Sequence, residues 1–170
     1  MKKSENLQNY IEKLDEIIQS ALDETKKKEL SVIELELIRT NVKVRCTEEF
    51  SKANKILSLT AKSKILDIGD EAGKKMEIWA KTEWDTKNLS KAREQFNKAR
   101  EQIAILDAKK IQDQKLVSKQ LDDDKSHLEK ITDVKLKSIL SILDKKIEIK
   151  SSSWQESIQK SNQTDQSKFF

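Results

Sequence analysis

The chain contains no proline, and its 170 residues include only two glycines, Gly69 and Gly73. At ordinary usage near 5%, roughly eight prolines would be present. Proline removes a backbone donor and clashes with the preceding helical turn, so a chain without it suits long helices. β-Sandwiches and doubly wound α/β folds need far more tight turns than two glycines can serve. Cysteine is limited to Cys46, so no intrachain disulfide can form, which fits a reducing compartment. His127 is the lone histidine. One Cys and one His cannot build a Cys/His zinc site, and no Glu-x-x-His motif exists for di-iron chemistry. No apolar run approaches the 18 or so residues of a membrane-spanning helix. The first eight residues are polar, so no signal peptide is visible. These absences predict a non-enzymatic, cytoplasmic chain without metal or cofactor. A surface-anchored bacterial protein whose signal has been removed is the alternative.

Charge is what the chain has in abundance. Asp, Glu, Lys and Arg make up 38% of it, with 34 basic and 30 acidic residues interleaved for a net charge of +4. Only Arg39, Arg45, Arg93 and Arg100 carry the guanidinium fork that favours phosphate and base-edge recognition. A dedicated nucleic-acid binder shows a denser basic stripe, so nucleic acid is not the expected partner. A lysine-rich binder of nucleic acid or anionic surfaces stays open as the second reading.

Hydrophobic periodicity predicts a first helix from Ser4 to about Glu24. Leu7, Ile11, Leu14, Ile18 and Ala21 form its stripe, and Tyr10, Ile17 and Leu22 widen it. Residues 31–46 are ambiguous. Ile33, Leu35 and Leu37 alternate with Glu34 and Glu36, and Val42, Val44 and Cys46 with Lys43 and Arg45. This reads as a β-hairpin or as a buried central helix, apolar nearly all round. The helix is favoured, because Arg39–Thr40 is poor turn chemistry and a lone hairpin is marginal. Gly69 is a natural helix stop and Asp70 a natural N-cap, which places a corner there. A helix is expected from Asp70 to Trp84, followed by a kink or a brief turn at residues 85–88.

Lys91-Ala-Arg-Glu-Gln95 then recurs seven residues later as Lys98-Ala-Arg-Glu-Gln102. Leu89, Phe96 and Ile103 take heptad a positions; Ala92, Ala99 and Leu106 take d, with arginines and glutamines flanking. Asp122-Asp123-Asp124 predicts another corner. A last core helix covers Leu128 to Ile147, and residues 151–170 read as a weakly structured polar tail in which Ser153-x-x-Glu156 could cap one short turn. The expected fold is all-α: residues 1–150 as a single antiparallel bundle of about four to five helices with coiled-coil-like packing.

Three segments invite chemical readings. Residues 65–73, Ile-Leu-Asp-Ile-Gly-Asp-Glu-Ala-Gly, resemble the first motif of S-adenosylmethionine-dependent methyltransferases, a strand followed by a glycine-rich cofactor turn. Glu71 stands where the family has a glycine, and no βα alternation follows, so a helix end and the next cap is the preferred reading. Gly69-x-x-x-Gly73-Lys74-Lys75 is one residue short of a P-loop and lacks its Ser/Thr. Asp122, Asp124, Ser126 and Asp133 fit an EF-hand count, but His127 occupies the glycine position. With no catalytic constellation, the chain reads as an adaptor, scaffold or inhibitor. It would act through helix faces on a protein partner or through self-association. The candidate interaction residues are Trp84, Arg93, Phe96, Arg100 and Trp154, because aromatics and arginine dominate interface energetics.

Overall fold

The computed structural model describes residues 5–27 and 29–166, and among these the chain forms three helices and no strand. The helices are α1 (Glu5–Lys27), α2 (Val32–Ala80) and α3 (Leu89–Gln166). The expected four to five helices become three, because two anticipated corners are absent. α2 runs through Gly69, and no glycine adopts positive φ. A glycine inside a helix costs only about 1 kcal/mol, too little to end a helix that packs on both sides of it. α3 runs through the acidic triplet, where Asp122 and Asp123 are solvated on its outer face. It also continues through residues 151–166, so Ser153 lies in a helix interior and its carbonyl accepts from the Ser157 hydroxyl. The terminal Phe169-Phe170 lies outside the described residues.

The chain divides into two units. Unit 1 takes the residues up to Asn54 and from His127 onward; unit 2 is Lys55–Ser126. Unit 1 is a three-helix bundle of α1, the first part of α2 and the last part of α3. Tyr10 bonds Thr132 and Asp15 pairs with Lys135, so α1 runs parallel to α3. Lys13–Glu49 at 3.6 Å and Arg39–Asp144 at 2.6 Å make α2 antiparallel to both. α2 starts at a capping box: the Ser31 amide donates to Glu34 Oε2 at 2.8 Å, and the Glu34 amide donates to Ser31 Oγ at 3.2 Å.

Residues 32–46 are helical, and the hairpin alternative is excluded. The helix is not central, however. Leu35, Ile38, Val42 and Cys46 face the core, while Ile33, at 80% exposure, Leu37 and Val44 face solvent. A helix in a three-helix bundle keeps one open side, which an all-round apolar pattern cannot reveal. On α1 the expected stripe shifts by one position. Leu7, Tyr10, Leu14, Ile17 and Ala21 are buried, whereas Ile11 and Ile18 are half-buried.

The proton inventory at Tyr10 is fixed. The Thr132 hydroxyl donates to the Leu128 carbonyl at 2.6 Å, so the Tyr10 O–H donates to Thr132 Oγ1 at 2.6 Å. Tyr10→Phe should lower stability by about 1 kcal/mol in urea denaturation, the usual net worth of one such bond. Burial pushes the Tyr10 phenol up, against the opposing pull of the Thr132 bond, and burial likewise pushes the Cys46 thiol up. The unfolded chain therefore releases these protons at lower pH than the folded one. Their contribution is full below the ordinary thiol and phenol values and declines as pH rises through them. Stability should fall between about pH 9 and 11, and less steeply in Tyr10→Phe.

Unit 2 is a two-helix hairpin, Lys55–Ala80 of α2 against the start of α3. Its heptad reading requires correction. Leu89 is 83% and Phe96 52% exposed, so two of the three a positions face away from α2. The covered positions at the start of α3 are Ala92, Gln95, Ala99, Gln102, Ile103 and Leu106, and Ala61 and Ala72 are buried on α2. Along α3 the covered positions follow an 11-residue step. Ala99, Lys110, Leu121, Thr132 and Leu143 form one column, and Leu106, Val117, Leu128, Ile139 and Lys150 another; none is exposed. On α2, Leu35, Cys46, Leu57, Ile68 and Trp79 do the same. Eleven residues in three turns is 3.67 per turn, which an α-helix meets with little change of its natural winding, whereas a heptad demands 3.5. A seven-residue repeat of identity thus does not persist as a seven-residue repeat of burial.

Candidate interaction surface

The turn between α2 and α3 is held by its own polar residues. The Lys87 and Asn88 amides both donate to Asp85 Oδ1, at 3.0 and 3.2 Å. Asn88 caps α3 by accepting from the Lys91 amide at 3.1 Å. Gln95, one turn further on, accepts from the Asp85 amide at 3.0 Å and fastens the turn to the helix. The connection runs over residues 81–88, longer than the kink or brief turn expected at 85–88, and Trp84, expected at the end of a helix, lies within it.

This fastening sets Trp84 against Phe96, with ring centroids 5.6 Å apart and planes tilted by 42°. Both side chains stay substantially exposed. Arg93 and Arg100 lie three residues before and four after Phe96, on the same side of α3, and both are exposed. Four of the five candidate residues are therefore brought together at the tip of unit 2. The fifth is not: Trp154 sits in unit 1, on the last part of α3, at 67% exposure. Sequence spacing missed the Trp84–Phe96 pair because it depends on a turn that brings the two flanking segments face to face. The signal available was Asp85 and Asn88, both turn formers, between two aromatic positions.

Elsewhere the described residues hold little that could do chemistry. No group of three His, Cys, Asp or Glu side chains is placed to hold a metal ion. Residues 65–73 are helical, so the strand and turn of a methyltransferase motif are absent, and the P-loop and EF-hand readings fail for the same reason. Cys46 is buried, and its raised pKa keeps it a neutral thiol. Two clefts in unit 1, of about 230 Å³ beside Arg45 and about 220 Å³ beside Ile149, fall below the roughly 300–1,000 Å³ usual for small-molecule sites, and a third, of about 830 Å³, is an open polar surface lined by α1 alone, from Glu12 to Glu24. Glu49, in the first cleft, bonds Lys52 at 2.7 Å, which holds its carboxyl below the usual range. No described helix is long and apolar enough to cross a membrane. No protein-family model matches this chain, nor does any curated protein or solved structure.

Proposed function

We propose that this chain is a non-enzymatic interaction or assembly protein that holds another protein at the tip of unit 2. The observation that carries this reading is the exposed Trp84–Phe96 pair on a turn fastened by its own hydrogen bonds. An aromatic anchor whose position is already fixed loses little freedom on binding, which raises the net gain from burying it. Arg93 and Arg100 beside it would engage partner carboxylates through two-pronged hydrogen bonds, giving register and selecting an acidic partner surface.

A photo-crosslinking amino acid at Phe96 tests this in cells that make the protein. One discrete adduct is expected, with none from the same residue at Lys125. Phe96→Ala should weaken the purified pair by about 10- to 30-fold, the range for an aromatic hot spot. Equal adducts at both positions, or none at Phe96, would remove the tip as the contact.

A further inference from the structure

Unit 1 leaves one side of α2 bare. Leu35, Ile38, Val42 and Cys46 face the core, while Ile33, Leu37, Thr40 and Val44 follow one another in 4-3-4 spacing on the opposite side, all four exposed. Three large aliphatic side chains in one stripe on a charged helix make a coiled-coil seam that lacks its second strand. The threonine does not interrupt it. Its hydroxyl donates to the Glu36 carbonyl at 2.9 Å, so covering it leaves no hydroxyl unpaired. Thr47, Glu48 and Ser51 take the next positions on this side, which ends the apolar stripe at Val44.

We infer that a second copy of this chain covers the stripe, its α2 lying antiparallel on the first. Charge complementarity is the argument for that occupant. A two-fold axis between Ile38 and Arg39 seats Ile33 on Val44 of the other copy and Leu37 on Thr40 of the other copy, so every aliphatic side chain of the stripe enters a layer. In an antiparallel pair the residues just before Leu37 and Val44 face their own equivalents across the seam. Those residues are Glu36 and Lys43, one of each sign. In the register that the aliphatic side chains set, Glu36 of either copy stands beside Lys43 of the other, displaced along the axis by two residues, about 3 Å. Two ion pairs therefore close that flank. On the other flank Glu34 stands beside Asn41, a neutral donor, so these flanking positions bring no like charges together. The apolar layers and the charges could have required different registers, and they require the same one. Space is open as well. Lys13–Glu49 and Arg39–Asp144 hold α1 and α3 on the core side of α2, so the second copy meets α2 alone.

Sedimentation equilibrium on the full chain tests this apart from the reading of the tip. Four layers make a small interface, so a weak reversible dimer is expected, dissociating at roughly 10–100 μM. Leu37→Glu should weaken it by at least about 10-fold, as expected when a hot-spot position is replaced. The position is exposed, so helicity should be retained. Glu36→Lys and Lys43→Glu should each weaken the dimer by about 5- to 20-fold, because two ion pairs become two like-charge contacts. An equal mixture of these two variants should recover the parent affinity, since each copy then supplies the charge that the other lacks. A strict monomer at several hundred micromolar overturns the proposal. A dimer indifferent to Leu37→Glu does the same, as does a mixture that associates no better than its components. A dimer lost on Phe96→Glu assigns self-association to the tip and overturns this arrangement, whereas one that survives it supports the seam on α2.

Discussion

Truncating Leu143 to alanine is expected to lower the stability of unit 1 by about 3 kcal/mol, within the 2–5 kcal/mol span of fully buried leucine truncations. Leu143 has no exposed surface and lies in the core column with Thr132, and Leu14, Leu128 and Ile139 are the other large aliphatic side chains sealed to the same degree. The loss has two sources. The removed methyl groups no longer leave water on folding, and the surrounding side chains stand on three separate helices and cannot all move in to close the void. Val134, on the same helix but 69% exposed, provides the contrast: Val134→Ala should fall within about 0.5 kcal/mol of the parent. Urea denaturation followed by circular dichroism measures both. A loss under about 1 kcal/mol for Leu143→Ala would mean that this position is not enclosed.

Gly69→Ala combined with Gly73→Ala should stabilise the chain by about 1.5–2 kcal/mol, since each exchange removes close to 1 kcal/mol of helix penalty. Room exists for both. A methyl group at position 69 would lie 3.6 Å from Gln114 Nε2, an ordinary contact, and one at position 73 meets nothing within 4 Å. The sign decides between two pictures of this segment. At a left-handed helix end, alanine in place of glycine would destabilise, because its β-carbon is strained there. In a continuous helix it stabilises. A rise in the urea midpoint at unchanged slope is the expected reading, and a fall would restore the corner that the Gly69-Asp70 pair implies.

That pair illustrates why part of the fold was legible in the sequence and part was not. Missing proline, heavy charge and long apolar periodicities report directly on helix, because they act through local sterics and through which face is wet. The turn was legible in part: Asp85 and Asn88 bond their own neighbourhood, but the helix before it ends at Ala80 and not at Trp84. Gly69-Asp70 and the triple aspartate send the same local message, yet both segments are helical. There the local preference is worth about 1 kcal/mol, and packing of the neighbouring turns outweighs it. The burial face of α3 was hidden for a different reason. Repeated identity from Lys91 to Gln102 follows seven residues, but the covered face follows the winding of the helix, so Phe96 left the seam and joined Trp84 outside it. The candidate surface was accordingly visible as residues and invisible as a cluster.

The division of the chain has a consequence for the order in which it can fold during synthesis. Unit 2 is contiguous and holds all its parts once Ser126 has been made, whereas unit 1 must wait for Leu128, Ile139 and Leu143 before its core can close. Until then α1 and the start of α2 have only each other to cover their apolar sides. The contact that finally joins Tyr10 to Thr132 spans 122 residues of chain. Loop-closure entropy grows with the logarithm of the free length, about 0.6 kcal/mol per doubling. A hairpin that has already folded brings Lys55 and Ser126 close together and takes its residues out of that length. Closing unit 1 around α1 is then a short search.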